Sequence, residues 1–237
     1  MPLFLSRRNP DLSETMDSPI CDPARLRNTY RQFPRVNALI SGSESVYKLW
    51  IRPAMVDRNM GYSLLDIGFG GGDIAMNMAR WAQRDGYRLE VTGIEIDQRA
   101  YDYVKTLDWP DNVSFHHLDA AELVAAGRTF DFVVSNHLLH HLDETSLCTA
   151  LAYARRLANR CALFVDIRRS DIAYALFSAM TLAGFRNSYI RCDGLVSIRR
   201  SYTRRELAEV APPDWKVESL FPFRLLLVYC GGEGAKP

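Results

Sequence analysis

The chain has 237 residues, 48% of them apolar, which is enough for one substantial core with an appendage. Its formal net charge is +1, so no global field favours a nucleic acid or an anionic membrane. The five cysteines are odd in number, widely spaced and without a C-x-x-C pair, which predicts a reducing, cytoplasmic compartment and neither a zinc ribbon nor a disulfide framework.

Residues 1 to about 21 are polar and carry Pro2, Pro10 and Pro19, the pattern of an extended or partly mobile arm. Its apolar run is too short, and its charges wrongly placed, for a signal peptide, and no stretch of the chain approaches a membrane span. Asp22-Pro23 predicts a helix start, with Asp as N-cap and Pro at the first helical position. Leu26, Tyr30 and Phe33 share one face; Pro34 should kink or break the helix and Gly42 should stop it. A short helix follows from about Ser45 to Arg52, carrying Leu49 and Trp50, with Pro53 as its end.

Leu64-Leu65-Asp66-Ile67-Gly68-Phe69-Gly70-Gly71-Gly72-Asp73 predicts a strand, a tight glycine turn and a helix start, and Ile74, Met78, Trp81 and Ala82 continue at helical spacing. Such a turn lets the backbone approach a ligand closely, with the amides of the helix start facing it. The dinucleotide fingerprint wants a small residue where Asp73 stands. A carboxylate there would repel a pyrophosphate, so a ligand without phosphates suits the turn better.

Leu89 to Glu95 reads as a second strand ending in an acid whose two oxygens match two vicinal ribose hydroxyls. Asp97 caps a helix running from Gln98 to about Leu107. Val113 to Leu118 alternates as a third strand, with His116 and His117 as bystanders near an edge. Asp119 follows at a position where it could N-cap the next helix. Phe130 to Asn136 is a fourth strand, and Asn136 and His137 should lie where strand order switches and ligands bind.

A helix N-capped by Asp143 and a buried strand from Cys161 to Asp166 come next. The apolar helix from Ser170 to Ala183 ends at Gly184, and residues 185–203 show no clear period. Thr203 opens a capping-box helix to Val210, Pro212-Pro213 stop it, and Trp215–Leu220 with Arg224–Tyr229 read as an antiparallel pair before a loose tail from Gly231.

The Asp66-x-Gly68-x-Gly70 turn, the acid at Glu95, the Asp119-Ala120 pair and the segment from Asn136 to Leu142 occur in the order that resembles class I S-adenosylmethionine-dependent methyltransferases. The likeness runs over roughly residues 60 to 230 and is nearest to small-molecule members of the ubiquinone/menaquinone-biosynthesis-like type. It implies an α/β fold of three layers, with a doubly wound, mostly parallel seven-stranded sheet and an N-terminal helical extension. The arm and helical cap would occupy residues 1–59. The cofactor domain would occupy 60–237, with an insertion near 185–203 walling the substrate pocket.

The resemblance further implies S-adenosylmethionine held by Asp66, Gly68, Gly70, Glu95, Ile96, Asp119, Ala120 and Asn136. Its histidine base would fall on His141, with His140 second, and a reaction without any side-chain base stays open. Tyr30, Phe33, Arg168, Tyr189 and Arg191 would face a small-molecule acceptor, a phenolic or hydroxylated metabolite methylated on oxygen before nitrogen or carbon; Trp50 stands with Tyr30 and Phe33 as aromatics that touch the acceptor, pack the helices onto the domain, or do both. No carboxylate/histidine cluster has a ligand spacing, so no metal is expected. Asn136 is followed by His-Leu-Leu and not by Pro-Pro-aromatic, which argues against a nucleic-acid substrate. Two other readings stand beside this one, an NAD(P)-dependent oxidoreductase, opposed by Asp73 and Asp119, and a non-catalytic cofactor-binding protein. The oligomeric state, a dimer included, is left open.

Overall fold

The computed structural model describes residues 2–231, so the loose tail expected beyond Gly231 lies outside the described residues. Seven strands form one sheet in the order β3-β2-β1-β4-β5-β7-β6. They are β1 (Gly61–Ile67), β2 (Arg88–Glu95), β3 (Val113–His117), β4 (Phe130–Asn136), β5 (Ala158–Ile167), β6 (Lys216–Leu220) and β7 (Arg224–Cys230). All neighbours pair in parallel except β7, which runs against both β5 and β6. Chain order reverses between β1 and β4, and that break opens a crevice at their carboxyl ends.

The helices are α1 (Pro23–Ile40), α2 (Ser43–Val46), α3 (Arg52–Ala54), α4 (Asp73–Arg84), α5 (Gln98–Val104), α6 (Ala120–Ala125), α7 (Glu144–Leu157), α8 (Asp171–Gly184), α9 (Ile190–Arg200) and α10 (Arg204–Val210). Successive strand residues point to opposite faces, so Leu64, Phe132 and Leu163 meet α4, while Leu65, Val133 and Ala162 meet α7. Buried aliphatic and aromatic side chains on both faces explain why the central strands read as near-continuous apolar runs. Asp22, Asp97, Asp143 and Thr203 cap their helices as their sequence positions predict.

Six features differ from expectation or refine it. Pro34 does not break α1, although a proline inside a helix costs about 3 kcal/mol. The Tyr30 carbonyl that loses its amide partner there lies against Gly71, whose absent Cβ would sit 3.2 Å from it, so packing on the glycine turn outweighs the break. Pro53 lies inside α3, which continues α2 through a π-helical turn over Tyr47–Ile51. Residues 190–200 form α9, invisible to periodicity because its centre holds Gly194 and its buried face carries Asp193, Ser197 and Arg200.

The arm is extended and is fastened to the domain by hydrogen bonds that its sequence does not announce. Arg8 donates to the Leu142 and Arg200 carbonyls at 3.0 and 2.6 Å and stacks on Tyr202. Arg169, fully buried, donates to the Leu5 and Ser201 carbonyls, and Asp193 accepts the Thr15 and Met16 amides at 2.9 and 2.8 Å. Trp50 packs beside the main core cluster and does not reach the cleft. Finally, Cys161 and Cys230, 69 residues apart, are register partners across β5 and β7 and are disulfide-bonded, so the cysteine pattern does not argue for a reducing compartment. Among the described residues no helix is long and apolar enough to cross a membrane.

Candidate active site

A cleft of about 750 Å³ lies over the carboxyl ends of β1, β2 and β4, roofed by the arm, α1, α8 and α9. Its floor at one end is the glycine turn. Gly68, Gly70 and Gly72 all have φ between 53° and 79°, the left-handed region that a side chain disfavours. Gly72 is also sterically closed, since a Cβ there would come within 2.9 Å of the Phe115 and Trp109 rings.

Three carboxyls converge on that turn. Asp66 is 1% exposed and its Oδ2 has no partner. Burial, then the charges of Asp73 and Glu95, push its pKa up to about 8. Asp73 receives the Asn37 amide at 3.0 Å, and burial lifts it to about 6. Glu95 accepts the Gly70 amide on one oxygen and the Ile96 and Asp97 amides on the other, at 2.9 to 3.2 Å, so it ties the end of β2 to the turn. Burial nevertheless raises it. A site that holds protonated or strained carboxyls fits a ligand bringing hydrogen-bond donors and a positive charge.

At the other end stands a histidine group after β4. His140 is buried between two acids, with Nδ1 2.7 Å from Asp166 Oδ1 and Nε2 3.2 Å from Glu14 Oε1. Burial opposes its charge, but the charge and hydrogen bond of Asp166 and those of Glu14 overcome this and raise it to about 9. The same contacts hold Glu14 at about 2 against the opposing effect of its burial, and Asp166 well below the usual carboxylate range. Both ring nitrogens of His140 face carboxylates, which favours the imidazolium and leaves neither nitrogen free to take a proton from a substrate. The expectation of a second candidate base there is corrected.

His141 differs. Its side chain is 27% exposed, Nδ1 lies 3.3 Å from Asp17 Oδ2, and Nε2 lies 3.7 Å from Glu14 Oε1, beyond a good hydrogen bond. Its ring thus lies between the Asp17 and Glu14 carboxylates, with one nitrogen nearest each and part of its face open to the cleft. Glu14, His140 and His141 bring ligand-type atoms within 4.8 Å of one another, a grouping that linear spacing did not reveal. Two of those atoms, His140 Nε2 and Glu14 Oε1, are already spent on each other and on Ser197.

Of the residues expected at the site, Asp66, Gly68, Gly70, Glu95, Ile96, Asn136, His140, His141, Tyr30 and Phe33 all border this one cleft. Asn136 Oδ1 and His137 Nε2, like Asp66 Oδ2, are buried there without partners. Asp119 is exposed outside the cleft wall and caps α6 through a capping box with Glu122, and Ala120 follows in that helix. Three expected substrate contacts do not line the cleft. Arg168 lies over the Phe223 ring, and Arg191 donates to α8 at Ser178 and Thr181. Tyr189 is 3% exposed, and its hydroxyl accepts the Asp22 amide. Missed were Glu14 and Asp17, because a polar arm offers no periodicity, and Asp166, which reads as an ordinary strand end.

Residues 64–160 match the family described as "Methyltransferase domain". Over 114 residues the chain is 35% identical to 27-O-demethylrifamycin SV methyltransferase of Amycolatopsis mediterranei, a match that covers 46% of this chain. The chain spans 40% of the length of that curated relative. Among solved structures, the plantazolicin methyltransferase BpumL in complex with SAH superposes with a TM-score of 0.60 at 12% identity, covering 89% of this chain and 95% of the other. A TehB-like SAM-dependent methyltransferase from Corynebacterium glutamicum superposes with a TM-score of 0.53 at 22% identity, covering 88% and 98%. The two structural likenesses speak for the fold.

Proposed function

We propose that this chain, whose residues 64–160 match a methyltransferase domain, moves the methyl group of S-adenosylmethionine to a hydroxyl of a small phenolic or hydroxylated acceptor, with His141 as base. The observation that carries the reading is the pairing of two ends of one cleft, the orphaned Asp66 carboxyl at the glycine turn and the half-open His141 opposite. S-adenosylmethionine would supply a sulfonium-activated methyl.

Asp66 would ionise and take the cofactor's ammonium, Glu95 its ribose hydroxyls, and Ile96 would lie against the base. Asp119, which caps α6 outside the cleft wall, would have to reach the purine amino group from beyond the end of β3, with Ala120 next to it. Gly68 and Gly70 leave room at the turn, and Asn136 offers its unpaired Oδ1. Tyr30 and Phe33 close the cleft from α1 and exclude water. His141 Nε2 takes the acceptor proton while Asp17 holds the ring; the imidazolium formed is stabilised by Asp17 and Glu14. Asp73 in the turn speaks against the oxidoreductase reading, because its carboxylate would meet a pyrophosphate.

The test is His141→Gln with a phenolic acceptor. kcat should fall about 10²- to 10⁴-fold while S-adenosylhomocysteine binding stays within about twofold. Raising the pH toward the phenol's own pKa, about 10, should restore much of the rate, because the proton is then already lost. Unchanged kcat at neutral pH rejects His141 as the base.

A further inference from the structure

Resting on the methyl-transfer reading, we propose that the acceptor bears an aliphatic chain, and that the cleft's apolar arm between α8, α9 and the turn before β7 houses it, with α8 as the way in. Beyond His141 the polar lining thins. Glu14 and Asp193 reach the cavity wall but are satisfied inside the protein, Glu14 by His140 and Ser197 and Asp193 by the arm amides. Arg224, at the start of β7, gives its Nε–H to the Ile40 carbonyl and is, among the described residues, the one cation in this part of the wall, at the end of the arm away from α8. What remains there is Ile167, Leu176, Phe177, Met180, Ile198 and Phe223. A bare phenol at His141 would leave that surface against water, whereas a hydrocarbon tail would cover it.

The helix that walls this arm is apolar on both sides. No charged side chain lies between Asp171 and Arg186. Ala173, Phe177 and Met180 face the cavity, while Ile172 and Leu182 are 62% and 70% exposed. Leu176 does both, lining the cavity and standing 57% exposed, so the outer apolar stripe runs into the cavity over this residue. Asp171 accepts the Phe4 and Leu5 amides and so holds exposed Phe4 beside the same end of α8. An apolar rim continuous with an apolar cavity is what an amphiphile needs to pass its tail inward.

The depth of the arm is set by a close contact. A Cβ on Gly194 would lie 2.4 Å from the Phe177 ring, so the ring rests directly on the α9 backbone. Gly194→Ala must displace the ring and shorten the cavity, although alanine favours a helix interior.

The experiment uses the full chain with S-adenosylhomocysteine and 5-alkylresorcinols from methyl to undecyl, below their aggregation concentrations. Binding is read by calorimetry, and methyl transfer is followed in parallel with S-adenosylmethionine. Kd should fall about threefold per added methylene and then level off. Gly194→Ala should bring the levelling to a shorter chain, and Ile172→Lys should slow capture of the long chains more than of the methyl compound. Affinity flat within twofold from methyl to nonyl, or a chain-length profile that Gly194→Ala leaves unmoved, overturns the proposal. Tighter binding of long chains without methyl transfer supports the chain site and counts against the methyl-transfer reading. Equal turnover of short and long chains does the reverse. A dimer that buries α8 and dissociates in Ile172→Lys overturns the way in.

Discussion

Asp66→Asn separates what the cleft needs from what the fold prefers. The Asp66 carboxyl has a folded pKa of about 8 against an ordinary 3.8, and it is 1% exposed. A raised acid contributes its stability below 3.8 and loses it as pH climbs toward 8. Holding the proton at pH 7 costs the ligand-free protein up to about 4 kcal/mol, from 1.36 kcal/mol per pH unit over the interval from 3.8 to 7. Asparagine keeps the shape and carries no such cost, so ligand-free Asp66→Asn should melt several degrees higher than the parent. The cofactor's ammonium has the opposite demand, because it requires the ionised carboxylate. S-adenosylhomocysteine affinity should therefore rise roughly tenfold per pH unit between about 6.5 and 8 in the parent. In Asp66→Asn that slope should vanish, with affinity at pH 8 lower by about 10- to 100-fold for the loss of a charge-assisted hydrogen bond. Calorimetric titrations at three pH values, with thermal melts of the ligand-free proteins, make the comparison. A parent affinity that is flat from pH 6.5 to 8, or a variant that binds within threefold of the parent at pH 8, refutes the role given to Asp66.

Two more outcomes follow from the packing and charge described above. Gly72→Ala puts a Cβ into the Phe115 and Trp109 rings at φ +79°, so unfolding by urea should show a loss of about 2 kcal/mol or more, with cofactor affinity falling as the turn shifts; an unchanged midpoint contradicts the close approach. His140, raised to about 9 from 6.5, stabilises fully below pH 6.5 and loses this as pH rises through 9, while Glu14, lowered to about 2 from 4.5, stabilises fully above pH 4.5 and loses this as pH falls through 2. His140→Gln should thus cost most, about 3 kcal/mol, between roughly pH 4.5 and 6.5, and the gap to the parent should narrow by pH 9; a gap constant across that range would exclude a charged His140.

The sheet was legible because its physics is local. Apolar runs ending in Asp66, Glu95 and Asn136, punctuated by glycine, are what buried parallel strands leading into a ligand crevice require. The glycine-turn end of the cleft was legible for the same reason, since Asp66, Glu95 and Asn136 sit at the carboxyl ends of strands. The acceptor end was not. It is assembled by long-range polar contacts, such as Asp193 on the Thr15 and Met16 amides and Glu14 on His140, which leave no periodic mark. Arg168, Tyr189 and Arg191 looked like ligand clamps because arginine and tyrosine carry the same donors whether they face a substrate or a neighbouring helix. Pro34 misled because breaking propensity is a local quantity, whereas the contact of α1 with Gly71 is not.

The strap formed by the arm also orders events in time. Glu14 finds Ser197 across a sequence separation of 183 residues, and Arg8 finds Arg200 across 192. During synthesis the parallel strands β1 to β4 emerge long before those partners leave the ribosome. The arm must then wait unpaired while the domain takes shape beside it. The histidine end of the cleft is thus completed last, by a segment that leaves the ribosome before the sheet does.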